Sequence, residues 1–83
     1  MFFYALYNMI KLNQQKFNIL IGKTVRDFRK KSNLSRIELA TKSNINEKYL
    51  GKIERGESSA SVFILKKIAM GLGVELIKLM KKV

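Results

Sequence analysis

The chain has no cysteine, no histidine and no proline, and only 6 of its 83 residues are Asp or Glu. Without cysteine there is neither a disulfide framework nor a thiolate metal site. Without histidine the usual general base, triad partner and zinc ligand are missing, and a few scattered carboxylates are the only groups left for proton transfer. An enzyme is therefore not expected, nor is a metal or other cofactor. A long apolar run is also lacking: residues 1–10 are apolar, but they make up about half of the ~20 residues a membrane span requires. No basic stretch precedes that run and no small-residue cleavage site follows it, so a secretory signal is not indicated. The expected location is cytoplasmic, at the nucleoid, with no membrane contact. With no proline, no repeat and no low-complexity segment, one compositional shift stands out. It separates an aromatic start carrying Phe2, Phe3, Tyr4, Leu6 and Tyr7 from everything after Phe17. Residues 1–17 read as an apolar N-terminal extension, within which Met9 offers an alternative start, and residues 18–83 as one domain.

What the chain has in excess is positive charge. It carries 17 Lys and Arg, a formal net charge of +11 and a pI near 10.2. Its 47% hydrophobic content is that of a folded domain, not of a disordered basic tail. A chain this short supports a single core. A compact basic domain favours polyanionic partners, because Lys and Arg that neutralise phosphates release condensed counterions. Duplex nucleic acid comes first among these and an anionic membrane surface second.

Helical periodicity runs through the domain. Ile21, Val25 and Phe28 recur at i, i+4, i+7 and stop at Ser32-Asn33, which predicts helix 1 over residues 18–32. Ser35 followed by Glu38 is a capping box that opens a short helix 2, with Leu39 and Ala40 inward and an end near Ser43-Asn44. Asn46 caps helix 3, whose apolar side is Leu50 and Ile53 and whose stop is Gly56. Ser61 caps helix 4, with an inner face of Val62, Leu65, Ile68, Ala69 and Leu72 and an end loosened by Gly71 and Gly73. Residues 74–80 form helix 5, supplying Leu76, Leu79 and Met80. The prediction is an all-α fold of five short helices with no strand.

The tight spacing of helices 2 and 3 forces them to cross steeply, a geometry that sets the second helix into a DNA major groove. With Leu50 and Ile53 turned inward, Glu47, Lys48, Gly51 and Lys52 are expected to face outward. Lys48 and Lys52 can donate to guanine O6 and N7, Glu47 can accept from cytosine N4, and Gly51 permits close approach.

The segment LSRIELATKSNINEKYLGKIERG, preceded by IGKTVRDFRKKSN and followed by SVFILKKIAMGLGV, resembles the helix-turn-helix family of the Cro and lambda-type repressors, also called the XRE family. The likeness covers residues 19–79, and KSNINEKYLGKIERG on so short a chain is similar to the controller proteins of restriction-modification systems. The resemblance implies a five-helix lambda-repressor-like DNA-binding domain in which helices 2 and 3 form the helix-turn-helix. It implies phosphate contacts from Ser35 and Arg36, from Tyr49 at the groove edge, and from Arg55, Ser58 and Ser59 in the loop after helix 3. It also implies a structural ion pair between Arg29 and Glu54. Two departures are evident: Ala60 stands where a proline is common, and Phe63 and Ile64 stand where polar residues are usual.

One recognition helix covers only a few base pairs, so useful specificity requires two copies about 34–36 Å apart. A homodimer reading an inverted repeat is expected, with an interface of Leu76, Ile77 and Met80 on helix 5 and Phe63 and Ile64 on helix 4. The expected role is a transcriptional regulator of the controller or phage-repressor type. The alternative is an antitoxin that binds its own operator and a toxin protein, with the apolar start as the surface for that protein partner. Lys66, Lys67, Lys78, Lys81 and Lys82 read as solvated.

Overall fold

A computed structural model describes residues 13–83. The expectations for residues 1–12, including the alternative start at Met9 and a partner-binding apolar leader, lie outside the described residues. Five helices follow one another: α1 (Gln14–Lys31), α2 (Arg36–Ser43), α3 (Glu47–Glu54), α4 (Val62–Leu72) and α5 (Leu76–Met80). The fold is all-α, and the described residues contain no strand.

Local chemistry sets each boundary. Asn13, Ser35, Asn46 and Ser61 each accept a backbone N–H of the first turn on their side-chain oxygen, satisfying a donor that the helix itself leaves open. At Ser35 the cap is reciprocal. The Ser35 N–H donates to Glu38 Oε1 at 2.8 Å while the Glu38 N–H donates to Ser35 Oγ at 3.1 Å. The other ends share one device: Asn33, Asn44, Gly56 and Gly73 all have φ between 54° and 74°. In each case the following residue donates back across the last turn, Leu34 to Arg29, Ile45 to Ala40, Glu57 to Lys52 and Val74 to Ala69. This is the Schellman arrangement, and it tucks Leu34, Ile45 and Val74 against the core. Only α5 lacks a side-chain cap; it is held by its buried Leu79.

The core draws on every helix. Ile21 and Val25 of α1, Leu39 and Ala40 of α2, Leu50 and Ile53 of α3, Leu65, Ile68, Ala69 and Leu72 of α4, and Leu79 of α5 are buried together. The main packings are α2 on α4 and α1 on α3. Two glycines allow the closest approaches. A β-carbon at Gly22 of α1 would fall 2.2 Å from the Ile53 carbonyl oxygen, and one at Gly71 of α4 would fall 2.1 Å from Ser43 Oγ on α2. Gly71 therefore does not loosen the end of α4, as its composition suggested. It seats that helix on α2, over a Ser43 hydroxyl that is buried without a hydrogen-bond partner.

Two boundaries and one inward position also differ from expectation. α1 begins at Gln14, capped by Asn13, so the division expected between residues 17 and 18 falls inside a continuous helix whose Phe17 packs against the core. Val62 is 70% exposed, because it is the first residue of α4 and lies at the edge of the stripe centred on Leu65, Ile68 and Leu72. α5 starts at Leu76, after a turn through Val74 and Glu75. Among the described residues no helix is long and apolar enough to cross a membrane.

Two outcomes follow from this packing. Gly22→Ala should lower unfolding free energy in urea by about 1–3 kcal/mol, since its methyl meets rigid backbone; an unchanged midpoint would mean that α1 and α3 separate without loss. The Ser35 amide and hydroxyl hold the Glu38 carboxyl below the usual glutamate range. The stability this contributes is fully present above that range and is lost as pH falls through it. Glu38→Gln should therefore flatten the acid limb of a stability–pH curve, and a superimposable limb would refute the linkage.

Candidate nucleic-acid interface

Three residues, Asn44, Ile45 and Asn46, join α2 to α3. The left-handed Asn44 turns the chain, the half-buried Ile45 anchors the turn, and Asn46 caps α3 by accepting from the Lys48 and Tyr49 amides at 2.8 and 3.1 Å. α3 then buries Leu50 and Ile53 completely. Lys48 and Lys52 are exposed, and as i and i+4 they stack about 6 Å apart along one stripe of the helix.

Behind that stripe lies the most buried charge in the described chain. The Glu54 side chain is 2% exposed and that of Arg29 14%. Arg29 Nε donates to Glu54 Oε2 at 2.7 Å and its Nη2 to Oε1 at 3.0 Å, a bidentate fork, while Nη1 donates to the Leu34 carbonyl at 3.0 Å. The hydrogen bond to Glu54 makes the Arg29 guanidinium still harder to deprotonate than usual. Arg26 Nε stands 3.9 Å from the same carboxylate. One carboxylate at the end of α3 thus collects two arginines of α1.

The remaining sequence-predicted residues are disposed less simply. Arg36, the first residue of α2, forms an ion pair with Glu47, the first residue of α3. The two are thereby held by each other, rather than one standing ready for phosphate and the other for a base. Gly51 does not face open solvent as its helical position suggested. It is buried, and a β-carbon there would lie 3.1 Å from Arg55 Nη1 and 3.4 Å from Arg36 Cζ. The missing side chain makes room for two guanidinium groups to converge across α3. Arg55 in turn donates to Glu57 at 3.0 and 3.3 Å. Tyr49 was expected to offer its hydroxyl to phosphate, but it donates instead to the Ser59 carbonyl at 2.9 Å. A phenol has one proton to donate, so Tyr49 pins the loop after α3 rather than reaching outward. Ser58 is half-buried and Ser59 exposed in that loop, and Ser35 accepts the Glu38 amide on its hydroxyl oxygen while keeping its own O–H to donate.

Arg26, Gly22 and the Arg36–Glu47 pairing escape sequence reasoning. The one available signal was opposite charge at the first positions of two successive helices.

The Arg29–Glu54 fork separates folding from binding. Glu54→Gln leaves two arginines facing a neutral amide and should cost about 3–5 kcal/mol of stability. Duplex affinity, referred to the folded fraction, should stay within a few-fold. Full stability with lost affinity would place Glu54 in the interface itself.

The helix-turn-helix family HTH_3 matches residues 25–79. Over 61 residues the chain is 43% identical to the HTH-type transcriptional regulator SlrR of Bacillus subtilis (strain 168), covering 72% of this chain and 40% of that one. Over 58 residues it is 38% identical to the control protein C.BamHI of Bacillus amyloliquefaciens, covering 69% and 72%. The chain thus spans about two fifths of SlrR, and likewise 38% of the immunity repressor protein of Bacillus phage phi105, to which it is 33% identical. The crystal structure of the restriction-modification controller protein C.AhdI from Aeromonas hydrophila superposes with a TM-score of 0.72 at 31% identity, covering 75% of this chain and 94% of that one. An HTH_3 family transcriptional regulator from Vibrio cholerae gives 0.75 at 34% identity, covering 77% and 36%. With the α2–turn–α3 geometry in place and a controller protein matched over most of its length, the chain belongs to the XRE-type HTH_3 family of DNA-binding transcriptional regulators.

Proposed function

We propose that the protein binds an inverted-repeat operator sequence-specifically as a homodimer, as a regulator of the restriction-modification controller or phage-repressor kind. The observation that carries this reading is the exposed Lys48–Lys52 stripe on α3, braced from behind by the Arg29–Glu54 fork. A helix of eight residues held rigidly on its inner side presents ammonium groups at a spacing suited to the major groove. In this role Lys48 and Lys52 read guanine edges and Glu47 a cytosine amino group, while Ser35, Arg36, Arg55, Ser58 and Ser59 position the domain on phosphates. Arg36 and Glu47 give up each other to do so. Their exposed pair is worth about 0.2–1 kcal/mol, a small sum against a phosphate contact that releases counterions. The Gly51 gap keeps both arginines close to the helix surface, where they reach the sugar-phosphate rails on its flanks.

The homodimer draws support from apolar surface on the last two helices. Phe63 is 65% and Ile77 41% exposed, and the half-buried Ile64, Leu76 and Met80 lie on the same two helices, α4 and α5. Lys67 Nζ sits over the Phe63 ring, 5.6 Å from its centroid. An isologous contact through α5 and the start of α4 buries these residues and sets the two α3 helices on one DNA face.

Gel shifts at several salt concentrations, with a selected site and with random duplex, test the division of labour. Lys52→Ala should weaken the selected site by about 1–3 kcal/mol more than random DNA; equal weakening on both would reassign Lys52 to phosphate. Arg36→Ala should reduce the salt slope on the selected site by about one unit; an unchanged slope would count against a phosphate contact from Arg36. If wild type forms no complex with any duplex at low salt, the proposal fails.

A further inference from the structure

The side of α1 turned away from α3 bounds a groove of about 520 Å³ that no part of the DNA-binding reading uses. Its apolar surface is Leu20 and Phe28, and its rim carries Lys23 and Lys31 from α1 and Lys78 and Lys82 from α5 and the turn beyond it. At about 100° per residue, Leu20, Asp27 and Lys31 stand on the opposite side of α1 from Gly22 and Arg29, the residues that meet α3. The groove therefore opens away from Lys48 and Lys52. It exists because α5 packs on α4, while α1 leans on α3 and α4 and leaves a gap against α5.

The charges around this gap are unbalanced. Four lysines face one carboxylate, that of Asp27, an excess of three positive charges. Among the described residues none of these lysines lies within 4.0 Å of a carboxylate, whereas Arg26, Arg29, Arg36 and Arg55 all do. Thr24 adds no free donor, since its hydroxyl is committed to the Leu20 carbonyl at 2.8 Å. What the groove offers a visitor is an apolar wall of one aromatic and one aliphatic side chain, ringed by ammonium groups on flexible stems. Its size lies within the range of ordinary small-molecule sites.

We infer that the α1–α5 groove binds a small amphipathic anion, with its apolar body against Leu20 and Phe28 and its anionic head among Lys23, Lys31, Lys78 and Lys82. The inference does not depend on the operator reading, because the groove and α3 lie on opposite sides of α1. Phosphate and carboxylate heads satisfy the ammonium ring equally, so the source of the head is left to the experiment.

The test uses the full chain and 1-anilinonaphthalene-8-sulfonate, an aromatic sulfonate that fluoresces when shielded from water, at about 0.1 M salt. Wild type should show a saturable rise with one site per chain. Lys78→Glu/Lys82→Glu should raise the dissociation constant at least tenfold, while Lys42→Glu/Lys66→Glu, an equal charge change placed on α2 and α4, should leave it within twofold. Helicity by circular dichroism verifies folding, and Lys78→Gln/Lys82→Gln carries the comparison if the glutamate pair does not fold. Competition then identifies the head: displacement by adenosine monophosphate supports a phosphate, displacement by decanoate a carboxylate. Non-saturable binding, equal losses in the two double variants, or displacement by neither competitor overturns the inference.

Discussion

The disposition of α3 depends on a carboxylate that has been taken out of water. Glu54 closes α3, and its 2% exposed side chain is gripped by Arg29 of α1 through two hydrogen bonds. Ion-pair burial of this kind adds little net stability over a well-packed apolar pair, because desolvation offsets most of the attraction. It adds geometry. A planar fork on a planar carboxylate tolerates little rotation, and the third donor of Arg29 ties the Leu34 carbonyl into the same arrangement. The turn before α2, the long α1 and the last residue of α3 are thus referenced to one guanidinium. Gly22 completes the constraint, because its bare Cα lets the Ile53 carbonyl approach α1 closely enough for the fork to close.

From that reference the surface of the interface is built by short-range devices. The Asn46 cap fixes where α3 begins, and Gly56, with φ of 74°, fixes where it ends. Tyr49 carries the constraint into the next segment by holding the Ser59 carbonyl. Each device acts over a few residues, and none requires metal or disulfide. A chain without cysteine or histidine can therefore still hold a rigid eight-residue helix at a fixed tilt.

This locality explains what could be read from the sequence. Helix starts at Ser35, Asn46 and Ser61, and ends at Asn33 and Gly56, were legible because a cap is a relation between neighbours. The inward sets Ile21 and Val25, Leu39 and Ala40, and Leu50 and Ile53 were legible because period 3.6 reports the buried face. What failed depended on groups brought in from outside the turn being read. Gly71 reads as a helix breaker until Ser43 lies against it, and Gly51 reads as an open position until Arg36 of α2 and Arg55 at the end of α3 itself cross above it. Tyr49 reads as a phosphate ligand until the Ser59 carbonyl comes within reach. The start of α1 was missed for another reason. Asn13 was a competent cap, but the apolar character of the residues before it drew the boundary downstream to residue 18.

In the operator reading proposed above, the Arg36–Glu47 pair would bear on specificity more than on affinity. Partly exposed, it weakly holds together the two residues placed at the junction of α2 and α3, and it conceals one positive and one negative charge from an approaching duplex. Lys48 and Lys52, with no carboxylate within 4.0 Å among the described residues, present their charge at once. Encounter is then governed by the lysine stripe, which any phosphate backbone attracts. In the proposed operator complex the pair would open only where separate partners reward both members, a phosphate for Arg36 and a base donor for Glu47. Because a duplex that supplies the phosphate alone leaves Glu47 facing polyanion without a partner, opening the pair discriminates against it. Discrimination through a group left unpaired on the wrong sequence is stronger than discrimination through a group satisfied on the right one.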